Sequence, residues 1–172
     1  MFDPTIFENL KVAFENHIYD LDNITGQIEV INRKDYLDMA VMSRELALEF
    51  KLMSQNKVSA EVVLKAGLKD LSAEILETPG TDPGCTLLIY FYKKVRNVTL
   101  ECQQIDTIIE KIWKPVLKPT QTLSFTYKEM PNLYLNKIEL TFNRLINEEQ
   151  IGDIPELIDH VMQTLLALNK VG

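Results

Sequence analysis

"GCTLLIYFYKKV", residues 84–95, follows the loop "TPGTD" and decides how the rest of the chain is read. A cysteine just after a Pro-Gly loop, at the mouth of an apolar run, suits a nucleophile. The same letters also make one strand of a sheet, with nothing in it to react. The strand reading has the better physical support. Leu87, Ile89 and Phe91 form one row and Leu88, Tyr90 and Tyr92 the other, which is the period of two that a strand imposes. Cys85 has Pro83, Gly84 and Thr86 as neighbours, none of them charged. A cysteine nucleophile needs a base or a helix N-terminus to become a thiolate.

A strand apolar on both faces is central in its sheet or covered on its second side. Tyrosines suit surfaces that are partly buried and partly wet, protein interfaces included. Leu88, Tyr90 and Tyr92 are therefore the expected interaction patch on the outer face of a sheet. The competing expectation is that another part of the same chain covers them.

Working outward, "RELALEFKL" alternates cleanly. Leu46, Leu48, Phe50 and Leu52 fall on one face, and Glu45, Glu49 and Lys51 on the other, as in a half-buried strand. "LALEFK" (46–51), "LLIYFYK" (87–93) and "IELTFNR" (138–144) share a short apolar-skip-apolar-skip-Phe pattern with a basic residue after the Phe. "SAEVVLKAGLKDL" (59–71) reads as a helix capped by Ser59, and "SAEILE" (72–77) as a strand. "TLSFTYKE" (122–129) and "NKIELTFNRL" (136–145) read as a hairpin across "MPNLY". "QIEVIN" reads as a strand, and 33–43 as either a short helix or a strand extension.

The first helix is capped by Asp3 with Pro4 at its first position, and carries Phe7, Leu10, Phe14, His17, Ile18 and Leu21 at helical spacing. A helix over 99–117 has the stripe Ile105, Ile108, Ile109, Ile112, Trp113 and Val116, kinked or ended by Pro115. The last helix opens at Asp153, with Glu156 completing a capping box. The expectation is one α+β domain over 1–172, with a largely antiparallel sheet of about six strands and about four helices on one face. A threefold repeat of a helix-strand-strand unit (1–53, 54–97, 98–146, with a closing helix over 150–170) fits the same order.

The chain has 172 residues, 46% hydrophobic and 25% charged, enough for a single core without disulfides or metals. Its net charge of −7 argues against nucleic acid, which demands a basic surface. No apolar run reaches the ~20 residues of a membrane span. The acidic start "MFDPTIFENLKVAFENH" lacks signal-peptide character, so a cytoplasmic location is expected. Two cysteines are too few for a disulfide scaffold, and a Cys85–Cys102 bridge is not expected, because an intervening strand carries them apart. Cys102, near a helix start, is the better thiolate candidate of the two.

His160 stands four residues after Glu156 and shares its helix face, but a metal site needs three or four ligands, and none is expected. His17 is expected to be a buried imidazole bonded to a carbonyl. No Walker loop, G-x-G-x-x-G, G-x-S-x-G or H-E-x-x-H occurs, so no catalytic residue and no cofactor is assigned. The expected function is a non-enzymatic module that binds a protein partner or a second copy of itself. The alternative is a small-molecule sensor with an apolar pocket between sheet and helices, lined by Phe91, Trp113, Phe125 and Tyr127.

Overall fold

The computed structural model describes residues 5–113 and 118–172. In chain order these residues form α1 (Thr5–Asn23), β1 (Ile28–Asp38), β2 (Ser43–Leu52), β3 (Val58–Ala66), α2 (Leu68–Ile75), β4 (Thr86–Val95), α3 (Val98–Ile112), β5 (Thr120–Ser124), β6 (Tyr134–Thr141), a 3-10 turn over Glu148–Asp153, and α4 (Ile154–Leu168). The six strands make one sheet in the order β1-β2-β3-β4-β6-β5, and every neighbouring pair is antiparallel. The fold is α+β, with its helices packed on one face.

The opening stretch explains the architecture. β4 lies between β3 and β6, in the middle of the sheet, as its two apolar rows require. One row, Leu87, Ile89 and Phe91, is fully buried. It joins Leu46, Leu48, Phe50 and Leu52 of β2, Ala60, Val62 and Leu64 of β3, and Ile138 and Leu140 of β6 in a continuous core. Phe7, Leu10, Phe14 and Ile18 of α1, Ile105 and Ile109 of α3, and Ile158, Val161, Leu165 and Leu168 of α4 close that core from the helical side. Truncating a fully buried Phe50 or Phe91 to Ala at such a site costs about 3–5 kcal/mol.

Two expectations are overturned between residues 58 and 77. Residues 58–66 are strand β3, not a helix capped by Ser59, and 72–75 end helix α2, not a strand. Val58, Ala60, Val62, Leu64 and Ala66 alternate onto the core, and adjacent β-branched Val62 and Val63 favour a pleated surface. Gly67 is the break, so the helix starts after it rather than before. The middle of the chain is thus strand-helix-strand, and the element order does not show three helix-strand-strand units.

Elsewhere the corrections are smaller. Residues 33–38 continue β1 as strand, and 39–42 form the turn to β2. β1 carries a bulge between Val30 and Asn32. α3 is capped by Asn97, whose side chain accepts from Leu100 N at 3.1 Å. The Asp153 side chain makes no capping bond. The capping box forms earlier, between Asn147 and Gln150, each side chain accepting a backbone N–H at 2.8 Å. The expected roles of Asp3, Pro4, Pro115 and Val116 lie outside the described residues.

One backbone contact ties the sheet together beyond its ladders. Cys85 and Ile146 exchange both backbone hydrogen bonds, at 2.7 and 2.9 Å, joining the entrance of β4 to the segment after β6. Gly84 permits it. A Cβ there would lie 2.6 Å from the Ile146 carbonyl oxygen. Above the other half of the sheet, α1 is tied to β1 and β2 by charge. Asp35 meets Lys11 at 2.6 Å and Arg44 at 3.5 Å, and Arg44 also reaches Glu8 at 3.4 Å and covers the Phe7 ring.

Candidate functional site

Among the described residues the outer face of the sheet carries no helix, and its side chains meet in cross-strand rows. One row is Ala47, Val63, Leu88 and Thr141. The next is Glu49, Glu61, Tyr90 and Glu139, and a third is Lys51, Ser59, Tyr92 and Lys137. Leu88, Tyr90 and Tyr92 therefore lie on the outer face and are half-buried. Their cover comes from neighbours in the same sheet. Lys137 Nζ sits 4.3 Å from the centre of the Tyr90 ring, the two tyrosine rings stack at 6.3 Å, and Tyr92 OH donates to Glu61 Oε1 at 2.9 Å. Burial pushes both phenols up. The neighbouring carboxylates, Glu139 and Glu61 at Tyr90 and Glu61 at Tyr92, push them further. Both tyrosines stay neutral donors at physiological pH.

Phe91, Trp113, Phe125 and Tyr127 do not share a pocket. Phe91 is inside the core, while Phe125 is 72% and Tyr127 81% exposed on the loop between β5 and β6. That loop has polar turn residues on both sides, so its aromatic side chains have no facing layer to enter. Of the four, only Trp113 lines an open cleft of about 640 Å³ between the end of α3, the exit of β6 and the start of α4. Its apolar walls include Phe14, Leu87, Trp113 and Phe142, and its polar residues include Arg144, Asp153, Glu156 and His160. The Trp113 ring is fixed on two sides. Its Nε1 donates to Thr164 Oγ1 at 2.9 Å, and the ring meets Phe142 edge-on at 6.2 Å and His160 at 5.5 Å.

His160 is half-buried against Trp113, with Nδ1 2.7 Å from the Glu156 carbonyl oxygen. The Glu156–His160 pairing thus runs through the backbone carbonyl and not the carboxylate. Spacing had placed the two on one face; Phe142 and Arg144 carried no sequence signal that linked them to it.

At the far edge of the sheet, β5 pairs with β6 alone among the described residues. Its side chains are half-buried or exposed throughout, and none is charged. The following loop presents Phe125, Tyr127 and Met130, and a smaller groove of about 230 Å³ runs beneath it, past Lys94 and Leu135.

Neither cysteine is activated. Cys85 is buried, and burial, assisted by Asp70 and Glu74, pushes its thiol up to about 12. Burial also raises Cys102, with Asp106 and Glu101 adding to it, so the helix start does not favour its thiolate, although it stays the less buried of the two. Both are free thiols. His17 is half-buried, with its shielded Nε2 lacking a partner among the described residues, rather than bonded to a carbonyl. Beneath α3, Asn136 is fully buried and donates to Gln121 Oε1 at 2.7 Å, and Lys93, 5% exposed, is lowered by burial. Among the described residues no group of three or more His, Cys, Asp or Glu side chains is placed to hold a metal, and no helix is long and apolar enough to cross a membrane.

No family model, no curated protein and no solved structure matches this chain.

Proposed function

We propose that the chain is a protein-interaction module that takes an acidic, extended segment of a partner along the free edge of β5. The observation that carries this reading is the β5 edge itself, five uncharged residues whose outer ladder has no partner among the described residues, followed by exposed Phe125 and Tyr127. An extended segment added there gains main-chain hydrogen bonds, and its side chains find the groove beside Leu135. Charge selects the occupant. Residues 93–137 hold eight basic and four acidic side chains, a surplus of four positive charges in a chain whose net charge is −7. Lys94, Lys118, Lys128 and Lys137 are all exposed around the hairpin. Two copies joined β5 to β5 would bring like charge together, which disfavours self-pairing there.

Selection from a displayed library of random peptides tests this. Enriched sequences should be acidic, with apolar residues at alternate positions. Proline at Thr122 or at Leu123, whichever N–H points away from β6, and Phe125→Lys should each weaken binding of a selected peptide by at least roughly tenfold. Enriched peptides without acidic bias, or indifferent to both substitutions, would refute the reading.

A second surface is favoured by the half-exposed row of Leu88, Tyr90 and Tyr92 on the bare face. Replacing both tyrosines with serine should abolish partner binding through that face while leaving the fold intact. Binding retained by the double variant would exclude it.

A further inference from the structure

We propose that the Trp113 cleft is a binding site for a small zwitterion of the α-amino-acid class with an apolar or aromatic side chain. The site is separate from the β5 edge and stands or falls independently of it. The cleft's volume, about 640 Å³, lies in the range of small-molecule sites, which are mostly apolar with a few placed polar groups. Its apolar part is made by Phe14, Leu87, Trp113 and Phe142.

The charged residues fix the ligand class. Arg144 comes from the segment that leaves β6, and Asp153 and Glu156 from the start of α4, so the two signs belong to different walls. No ion pair joins Arg144 to either acid, and Arg144 has no other partner among the described residues. Acids are ordinary in the first turn of a helix, and Arg144, Asp153 and Glu156 are all exposed at the rim of the cleft, free to turn toward a ligand of matching charge. A ligand with only a carboxylate would suit Arg144 and meet two like charges. A ligand with only an amine would suit Asp153 and Glu156 and leave Arg144 without a counter-charge. A zwitterion meets both. Its carboxylate takes the guanidinium fork, its ammonium lies between the acids and the aromatic faces of Trp113 and Phe142, and its side chain fills the apolar part.

Trp113 is the chain's single tryptophan, so its emission reports occupancy of the cleft directly. The full chain is titrated with L-phenylalanine, with phenethylamine, which keeps only the cation, with 3-phenylpropionate, which keeps only the anion, and with glycine, which lacks the apolar body. L-phenylalanine should shift Trp113 emission saturably, and each of the other three should bind at least roughly tenfold more weakly. Arg144→Ala should reduce L-phenylalanine to the affinity of phenethylamine and leave phenethylamine unchanged. Asp153→Asn should act in the opposite sense, weakening L-phenylalanine and phenethylamine but not 3-phenylpropionate. No saturable response to L-phenylalanine, or a one-charge analogue binding as tightly as the zwitterion, would overturn the proposal.

Discussion

Gly84 stands where two backbones approach most closely. A methyl group there would collide with the Ile146 carbonyl, which cannot rotate away without breaking its bond to Cys85. Gly84→Ala should therefore cost about 1–3 kcal/mol, read as a lowered denaturant midpoint. It should also speed labelling of Cys85 by a thiol reagent, since the thiol, now held up to about 12 by burial, would gain access to water. An unchanged midpoint would show that the bridge contributes little.

Asp35 makes a prediction with a definite sign. Burial alone would raise its carboxyl, but the hydrogen bond and charge of Lys11, with Arg44 and Arg33, lower it on balance. A carboxylate lowered in the folded state contributes stability above its unfolded value, about 3.9, and loses it as pH falls through the folded value. Lys11 is raised chiefly by its hydrogen bond to Asp35, so its share is complete below its unfolded value, about 10.4, and fades above it. Asp35→Asn should destabilise by about 1–3 kcal/mol at neutral pH and flatten the acid limb of the stability curve below about pH 4. An acid limb of unchanged slope would place the sensitivity elsewhere.

At the scale of elements, β5 and β3 are opposites. β3 is paired on both sides and is buried at seven of its nine positions, while β5 is paired on one side and buried at none. Native-state hydrogen exchange should find β3 and β4 amides opening only with global unfolding, and β5 amides through a local event of lower free energy. Equal protection in both would argue against β5 as an available edge.

The same contrast explains what was legible in the residues. β2 and β4 were readable because each alternates without interruption, and β4 even announced its central place through a second apolar row. β3 was not, because Glu61 and Lys65 supply polar residues at a spacing that also suits a helix, and the decisive break, Gly67, falls inside the segment that looked helical. The outer-face row was legible for the same reason as β4. The cleft was not, because it draws on α1, α3, the exit of β6 and the start of α4, and no local pattern records which distant segments meet. Phe125 and Tyr127 were misplaced inward because alternation was carried past the point where β5 ends.

For the whole molecule, the charge distribution predicts a monomer. Size-exclusion chromatography with light scattering should return a mass independent of concentration, because the open edge is flanked by like charge. A dimer would shift attention to the bare face and its tyrosines. The other end of the sheet differs from β5 in kind. β1 is long, but it is bent by the bulge at Val30–Asn32 and carries Arg33, Lys34 and Asp35 in succession. Bulges and charges of this sort keep an edge strand from templating another chain. Among the described residues the sheet thus offers one edge rather than two for a further strand. On the proposed reading, one partner segment is taken per molecule, and whether another strand follows it is decided by that segment's own outer edge.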